Sequence, residues 1–250
     1  MTREKYIATL LGCALGDSLG MAVEGWNREQ IQKYIGKVTT LIDPVLVRDK
    51  EGNLIREDEL GKLKYYTKNL KRGDYTDDTI LTLAIAESII ERQGLDLKYA
   101  CHRQLRAYEE TLDDSGKSDY GFGGTTVKAF DNLRRGLPPS ESGVLGLGNG
   151  PAMKMSPVGL YMDLDDCYHD GLEFAEALGR STHLDPRSVA SGVLQAHAVC
   201  TLLHDPSKDE FLDSMLDVCM KHEQKIIKSI SCLKYIEKLG FNEINLINKV

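Results

Sequence analysis

The stretch TDDTILTLAIAESIIERQG, residues 76–94, decides the fold class of this chain. Its apolar residues recur at the spacing of one helix face, and the stretch ends at Gly94, a residue type that commonly stops helices. The pattern therefore predicts a long helix over residues 78–93 with one face for a protein core. Asp77 and Asp78 stand at its beginning, where a carboxylate interacts favourably with the helix dipole.

Helical spacing recurs along most of the chain, and long, clear strands are absent. Further helices are predicted at 4–22, 97–112, from the Gly121–Gly124 loop to about Arg135, and at about 168–180, 187–204, 209–222 and 223–238. Asp185 can cap the helix at 187, and Pro186 suits its first position. Only residues 45–56 suggest a small hairpin. We therefore expect an all-α, compact multi-helix fold.

The composition favours one large domain over residues 1–250 and excludes some partners. The chain has 250 residues with 42% hydrophobic content, and 31 basic against 38 acidic residues give a net charge of −7. This acidic balance argues against nucleic acid, and no apolar run is long enough to span a membrane. Six cysteines without a CxxC pair indicate a reducing, cytoplasmic location. The sequence carries no signal for the oligomeric state.

Two acidic motifs are candidates for chemistry. In GDSLGMAVE, residues 16–24, Asp17 and Glu24 are seven residues apart and would share one face of a continuous helix. In GDYTDDT, residues 73–79, one hydroxyl and two carboxylates from Thr76, Asp77 and Asp78 form a set of hard oxygen ligands that suits magnesium. Taken alone, each motif has a simpler explanation: two solvated acids in the first, and a helix cap by Thr76 in the second.

Three further motifs are candidates for ligand binding. The loop GFGGTT, residues 121–126, opens onto a helix whose backbone amides could bind phosphate. GLGNGPAM, residues 146–153, allows close backbone approach to a ligand, and STHLDP, residues 181–186, places one histidine before a capped helix. Ordinary loop structure is the alternative for all three. The candidate binding residues are Gly123, Gly124, Thr125, Gly148, Asn149, Gly150 and His183.

The order of these motifs along the chain identifies a protein family more specifically than any single motif does. GDSLGMAVE, YTDDT, GFGGTT, GLGNGPAM with SPVGL, and STHLDP together resemble the ADP-ribosyl-glycohydrolase family, which includes the enzyme that reactivates dinitrogenase reductase. The resemblance runs from about residue 6 to about residue 204. It implies an all-α fold and magnesium-dependent hydrolysis of the bond between ADP-ribose and an acceptor, with ADP-ribose or an ADP-ribosylated protein as the partner.

The resemblance also implies roles for the candidate residues. Thr76, Asp77 and Asp78 would be ligands of one or two magnesium ions, Glu24 would act as acid or base, and Asp17 would support this cluster. Gly123, Gly124 and Thr125 would line the path of the ribose and diphosphate, as would Gly148, Asn149 and Gly150. His183 would contact the ADP-ribose.

One departure from the family pattern concerns the C-terminal part. Family members usually carry another acidic motif there, of the type Gly-Gly-Asp-x-Asp-Thr, and no such motif follows residue 204. Three interpretations remain: a form that is short at the C-terminus, a relative that binds ADP-ribose without cleaving it, or a site that other residues or a partner chain complete. A further alternative is a helical structural or interaction protein in which the acidic motifs only cap helices. The order of the motifs makes this alternative the least favoured.

Overall fold

A computed structural model describes residues 2–43, 70–164 and 167–219. These ranges contain ten α-helices and a single 3₁₀ turn, Ala152–Lys154. The helices are α1 (Thr2–Met21), α2 (Arg28–Tyr34), α3 (Asp77–Arg92), α4 (Leu97–Glu109), α5 (Gly124–Arg134), α6 (Pro139–Ser142), α7 (Ser156–Met162), α8 (Tyr168–Arg180), α9 (Pro186–Leu202) and α10 (Lys208–Cys219).

The all-α prediction is confirmed, because the described ranges contain no strand and only one isolated bridge, between Val144 and His183. The predicted helices match α1, α3, α4, α5, α8, α9 and the described part of α10 to within a few residues. Asp185 caps α9 by accepting a hydrogen bond from the backbone N–H of Arg187 at 2.9 Å, as predicted. The predicted hairpin and the helix at 223–238 lie outside the described residues.

The core forms where α3 packs against α4 and α7, and α9 packs against α7, α8 and α10. Leu81 and Ile85 on the buried face of α3 are fully enclosed, together with Phe130 from α5 and Val193 from α9. Burial of these side chains is the main force that holds the helices together. This packing fixes the N-terminus of α3, where the acidic residues lie.

Gly159 sets the distance between α7 and α9. A Cβ atom at this position would overlap the carbonyl oxygen of Ala196 and lie 2.7 Å from Cβ of Val199. Gly159→Ala is therefore expected to lower the free energy of unfolding by about 2 kcal/mol, because overpacking forces the two helices apart. Chemical denaturation measures this loss.

Gly12→Ala in α1 is the matched control, because no described atom lies within 4 Å of a Cβ atom placed there. The same substitution should raise the free energy of unfolding by up to about 1 kcal/mol, since alanine is the better helix former. Equal effects at the two positions would contradict the steric explanation.

The first helix is anchored by polar contacts at its beginning. Tyr6 donates a hydrogen bond to Asp163 at 2.8 Å, and Lys5 donates to the carbonyl oxygen of Leu203 at 2.6 Å. Gly12, Gly16 and Gly20 recur every fourth residue in α1, a spacing that can admit a second backbone at close distance. No other described backbone packs there, since nothing lies within 4 Å of a Cβ atom at these three positions. No helix among the described residues has the length and apolar content needed to cross a bilayer.

Candidate functional site

Asp17 of α1 acts as the cap of α3, although the two lie far apart in sequence. Its carboxylate accepts hydrogen bonds from the backbone N–H groups of Thr76 at 2.8 Å and Thr79 at 3.1 Å. It also accepts from both threonine hydroxyls, each at 2.6 Å. The expectation that the Thr76 side chain caps the helix is wrong: it makes no cap hydrogen bond, and its hydroxyl donates to Asp17. The carboxylate thus satisfies free N–H groups of the helix N-terminus.

Glu24 reaches the site from a turn and not from a helix. Helix α1 ends at Met21, and the chain reverses through a turn in which Gly25 has a φ of +80°. The expectation that Asp17 and Glu24 share one face of a continuous helix is therefore wrong. The turn nevertheless brings the exposed Glu24 to the same cavity as Asp77 and Asp78.

A cavity of about 290 Å³ gathers ten of the twelve candidate residues. These lining residues are Glu24, Asp77, Asp78, Gly123, Gly124, Thr125, Gly148, Asn149, Gly150 and His183. The other two, Asp17 and Thr76, do not line the cavity and lie next to it, hydrogen-bonded to each other at the start of α3. The sequence motifs therefore converge on one cavity, which is lined by acidic side chains, here called the acid wall, and by glycine-rich backbone, here called the backbone wall.

The N-terminus of α5 forms the backbone wall. Gly123 occupies the N-cap position and has no side chain that could satisfy the first N–H groups of this 11-residue helix. A Cβ atom at Gly123 or Gly124 would meet nothing within 4 Å, which shows that this backbone faces open space. The two walls are connected directly, because the backbone N–H of Asp77 donates to the carbonyl oxygen of Tyr120 at 2.8 Å. Free amides at a helix N-terminus bind anions well.

His183 supports the loop that forms the third side of the cavity. His183 is 3% exposed, and its Nδ1 lies 3.0 Å from the hydroxyl of Thr182. A Cβ atom at Gly150 would lie 2.5 Å from Cε1 of His183, so only glycine allows the loop to pack this closely. The backbone N–H of Gly148 donates to Ser188 at 2.9 Å, which ties the same loop to α9.

The acids at the start of α3 repel each other. Burial, followed by the charges of Asp78, Glu24 and Asp17, raises the pKa of Asp77 to about 7. Burial and the charge of Asp17 likewise raise the pKa of Asp78 to about 6. Burial and then the charge of Lys154 lower the pKa of His183 to about 4, so this imidazole is neutral at physiological pH. The cavity thus combines acids that resist ionisation with a neutral histidine.

The donors in the cavity fit a hard divalent cation. Asp77 and Asp78 form no ion pair with a lysine or arginine of the described ranges, so a bound cation would relieve their repulsion. No group of three or more His, Cys, Asp or Glu side chains in the described ranges is arranged to hold a metal. Magnesium commonly binds through one or two carboxylates and keeps several waters, which matches this donor set.

The structure adds residues that the sequence reasoning did not single out. Thr79 completes the hydrogen bonding of Asp17, while Thr126 and Met153 line the cavity. All three lie inside the quoted motifs, and their position there is the sequence feature that could have identified them as site residues. Lys154 follows Met153 directly and is fully buried, and nothing in the sequence distinguishes it from a surface lysine.

Comparisons with known proteins agree with the motif order. A family model described as ADP-ribosylglycohydrolase matches residues 1–243. An uncharacterized protein of Archaeoglobus fulgidus is 30% identical over 217 residues, which cover 85% of this chain and 60% of that protein. ADP-ribosylhydrolase ARH3 of Xenopus tropicalis is 26% identical over 263 residues, which cover 98% of this chain and 64% of that protein.

A solved structure has the same fold. It is described as an ADP-ribosylglycohydrolase-related protein complex and superimposes with a TM-score of 0.61 at 24% identity. The superposition covers 92% of this chain and 67% of the solved one. The chain thus spans about 60% of the length of the first curated relatives it matches.

Proposed function

We propose, because this chain belongs to the ADP-ribosylglycohydrolase family, that it hydrolyses the glycosidic bond between ADP-ribose and an acceptor. The acceptor is a protein side chain or a small molecule. The observation that carries the proposal is the cavity that Glu24, Asp77 and Asp78 line together with the N-terminus of α5. The acids suit cleavage at a sugar carbon, and the amides suit a diphosphate.

The backbone walls provide the proposed ADP-ribose contacts. The first amides of α5, at Gly124 and Thr125, can donate to the diphosphate, which the helix dipole also favours. Asn149 offers both a donor and an acceptor to ribose hydroxyls. His183, held neutral by its surroundings, can accept or donate one hydrogen bond without adding charge.

Asp77 and Asp78 would hold one or two magnesium ions, with the oxygen of Thr76 as a further donor. Held by these residues, magnesium would supply positive charge beside the ribose. Thr76 already donates its hydroxyl proton to Asp17, which leaves lone pairs on its oxygen for a cation.

Glu24 is the proposed acid and base of the reaction. Cleavage of the anomeric bond develops positive charge on the ribose, which nearby carboxylates stabilise. Glu24 is exposed on its turn, so it can exchange protons with water at the mouth of the cavity. Asp17 does not line the cavity, and we assign it the role of holding the N-terminus of α3 in place.

ADP-ribose binding without cleavage is the second candidate function. One observation favours it: no cluster of three metal-binding side chains occurs in the described ranges. In this case the backbone walls would still hold the nucleotide, while the acid wall would lack the cations needed for turnover.

We further infer that residues 1–250 act as one domain in a reducing, cytoplasmic compartment. Cys13, Cys101, Cys167 and Cys200 are free thiols, which supports this location. The net charge of −7 argues against nucleic acid as a partner.

Release of ADP-ribose from a modified protein tests the proposed function. The chain is incubated with arginine- or serine-linked ADP-ribosylated protein, with magnesium or with a chelator, and free ADP-ribose is quantified. We expect magnesium-dependent release that falls about a hundredfold or more in Glu24→Gln, because the variant cannot transfer the proton. Glu29→Gln, at an exposed position of α2, is the matched control and should leave release unchanged.

Calorimetry with ADP-ribose separates the two candidates. Saturable binding without turnover on any acceptor would favour the binding function. Absence of both binding and turnover would contradict both.

A further inference from the structure

A second cavity, of about 400 Å³, adjoins the candidate site. It shares Asp78, Asn149 and Met153 with the first cavity, so these three residues form the border between the two. The rest of its lining comes from α1, the 3₁₀ turn, α7 and α9: Thr9, Cys13, Ala152, Ser156, Gln195 and Val199. A cavity of this size is typical of a small-molecule site.

The second cavity contains polar side chains that no protein group satisfies. Ser156, at the start of α7, is 6% exposed, and its hydroxyl makes no hydrogen bond to a described residue. The side-chain amides of Asn149 and Gln195 likewise have no hydrogen-bond partner in the described ranges. Buried polar groups are normally hydrogen-bonded, so these groups point to a polar ligand in the cavity.

The border between the two cavities is held by one buried hydroxyl. Thr82 on α3 is 2% exposed, and its hydroxyl donates to the carbonyl oxygen of Asp78 at 2.7 Å. The same oxygen lies 3.3 Å from the carbonyl oxygen of Met153 and 3.6 Å from Sγ of Cys13. These contacts connect α1, α3 and the 3₁₀ turn, so the position of the border residues is fixed before a ligand binds.

The charge of the lining determines which ligands the second cavity favours. Asp78 is the only acidic residue among its described lining residues, and no lysine, arginine or histidine is among them. An anionic group would therefore meet a carboxylate and no compensating positive charge. A group rich in N–H donors would instead find the carboxylate of Asp78 and the side-chain oxygens of Ser156 and Gln195.

We propose that the second cavity is the subsite for the acceptor, and that it takes a nitrogen group that donates hydrogen bonds and has no negative charge, such as a guanidinium. The proposal rests on the proposed function, since it locates the leaving group of that hydrolysis. With the ribose in the first cavity, the bond that breaks crosses the border at Asp78 and Asn149. Water adds its hydroxyl to the ribose carbon and a proton to the acceptor nitrogen, which departs through the second cavity.

Cys13 provides a direct test, because its half-buried thiol lines the second cavity. The chain is labelled with N-ethylmaleimide in magnesium buffer, and mass spectrometry follows each cysteine separately. Methylguanidinium at ten times its Kd should slow labelling of Cys13 about tenfold. Cys167, which is also half-buried but lines neither of these cavities, is the internal control and should be labelled at an unchanged rate. Methyl phosphate should protect neither cysteine.

Two substitutions test the proposed contacts. Gln195→Leu and Ser156→Ala should each weaken protection of Cys13 by methylguanidinium about tenfold, because each removes a hydrogen bond to a charged group. Release from an arginine-linked substrate should fall by a similar factor, while the Kd of ADP-ribose stays unchanged. Gln32→Leu, at an exposed position of α2, is the matched control and should behave as the wild type in all three measurements.

Equal protection of Cys13 and Cys167 would overturn the proposal, and so would protection by methyl phosphate as strong as that by methylguanidinium. Unchanged protection in both cavity variants would also overturn it. The labelling requires no turnover, so failure of the proposed function is recognised separately: the wild type would release no ADP-ribose while methylguanidinium still protected Cys13.

Discussion

Replacing Asp77 by asparagine is expected to stabilise the metal-free chain at pH 8 and to abolish hydrolysis. Asp77 is 6% exposed, and its pKa is raised to about 7 from an ordinary value of 3.8. A carboxyl group whose folded pKa is raised contributes stability below pH 3.8, and this contribution is lost as the pH rises through 7. The loss amounts to about 4 kcal/mol. Asparagine has no such proton to lose.

Urea denaturation between pH 4.5 and 8.5 in a chelator measures this effect. The wild type should lose stability across the range, and Asp77→Asn should lose markedly less. Magnesium should restore the wild type at pH 8 by binding the folded state, but should not restore the variant. Hydrolysis should fall on the order of a thousandfold, because charge stabilisation of this kind contributes that much.

Asp114→Asn, at an exposed loop position, is the control for this series. It should reproduce the pH profile and the hydrolysis rate of the wild type. If the free energy of unfolding depended on pH in the same way in the wild type and in Asp77→Asn, ionisation of Asp77 would not destabilise the fold as predicted. That result would count against the cation site.

Replacing Asp17 by alanine is expected to lower the free energy of unfolding by about 4 kcal/mol. The carboxylate accepts four hydrogen bonds from Thr76 and Thr79. Both threonines are buried, so their donors would be left without partners or solvent. Losses of this size are typical when one member of a buried charged network is removed.

Asp17→Asn should cost about half as much, because the amide keeps one accepting oxygen. Thr9→Ala on the same helix removes only a local hydrogen bond to the carbonyl oxygen of Lys5. This variant should change the free energy of unfolding by no more than about 0.5 kcal/mol. Chemical denaturation of the three variants measures the series. A loss of less than 1 kcal/mol for Asp17→Ala would contradict the capping role.

The long amphipathic helices could be predicted from sequence because their periodicity is local. α3 and α9 carry apolar residues at helical spacing and recognisable ends, and both were found within two residues of the predicted bounds. α7 was missed, since Pro157 and Gly159 are poor helix formers. Its helix depends on contact with α9, where glycine is required by packing that no local pattern reveals.

The site was predictable as a set of residues but not as a geometry. The motifs named the residues that line one cavity, yet the partner of Thr76 lies 59 residues away in α1. Helical periodicity placed Glu24 on the same helix face as Asp17. In the structure the helix ends at Met21, and the turn that follows brings Glu24 to the cavity. Lys154 could not be predicted, because lysine is the residue type least expected in a protein interior.

The backbone hydrogen bond from Asp77 to Tyr120 has a consequence for ligand selection. It joins the first residue of α3 to the loop that leads into α5, so a main-chain contact links the two walls of the cavity. Substitutions of the cavity side chains leave both partners of this contact in place. We therefore expect such substitutions to change which chemical groups the cavity accepts more than how wide a ligand it admits.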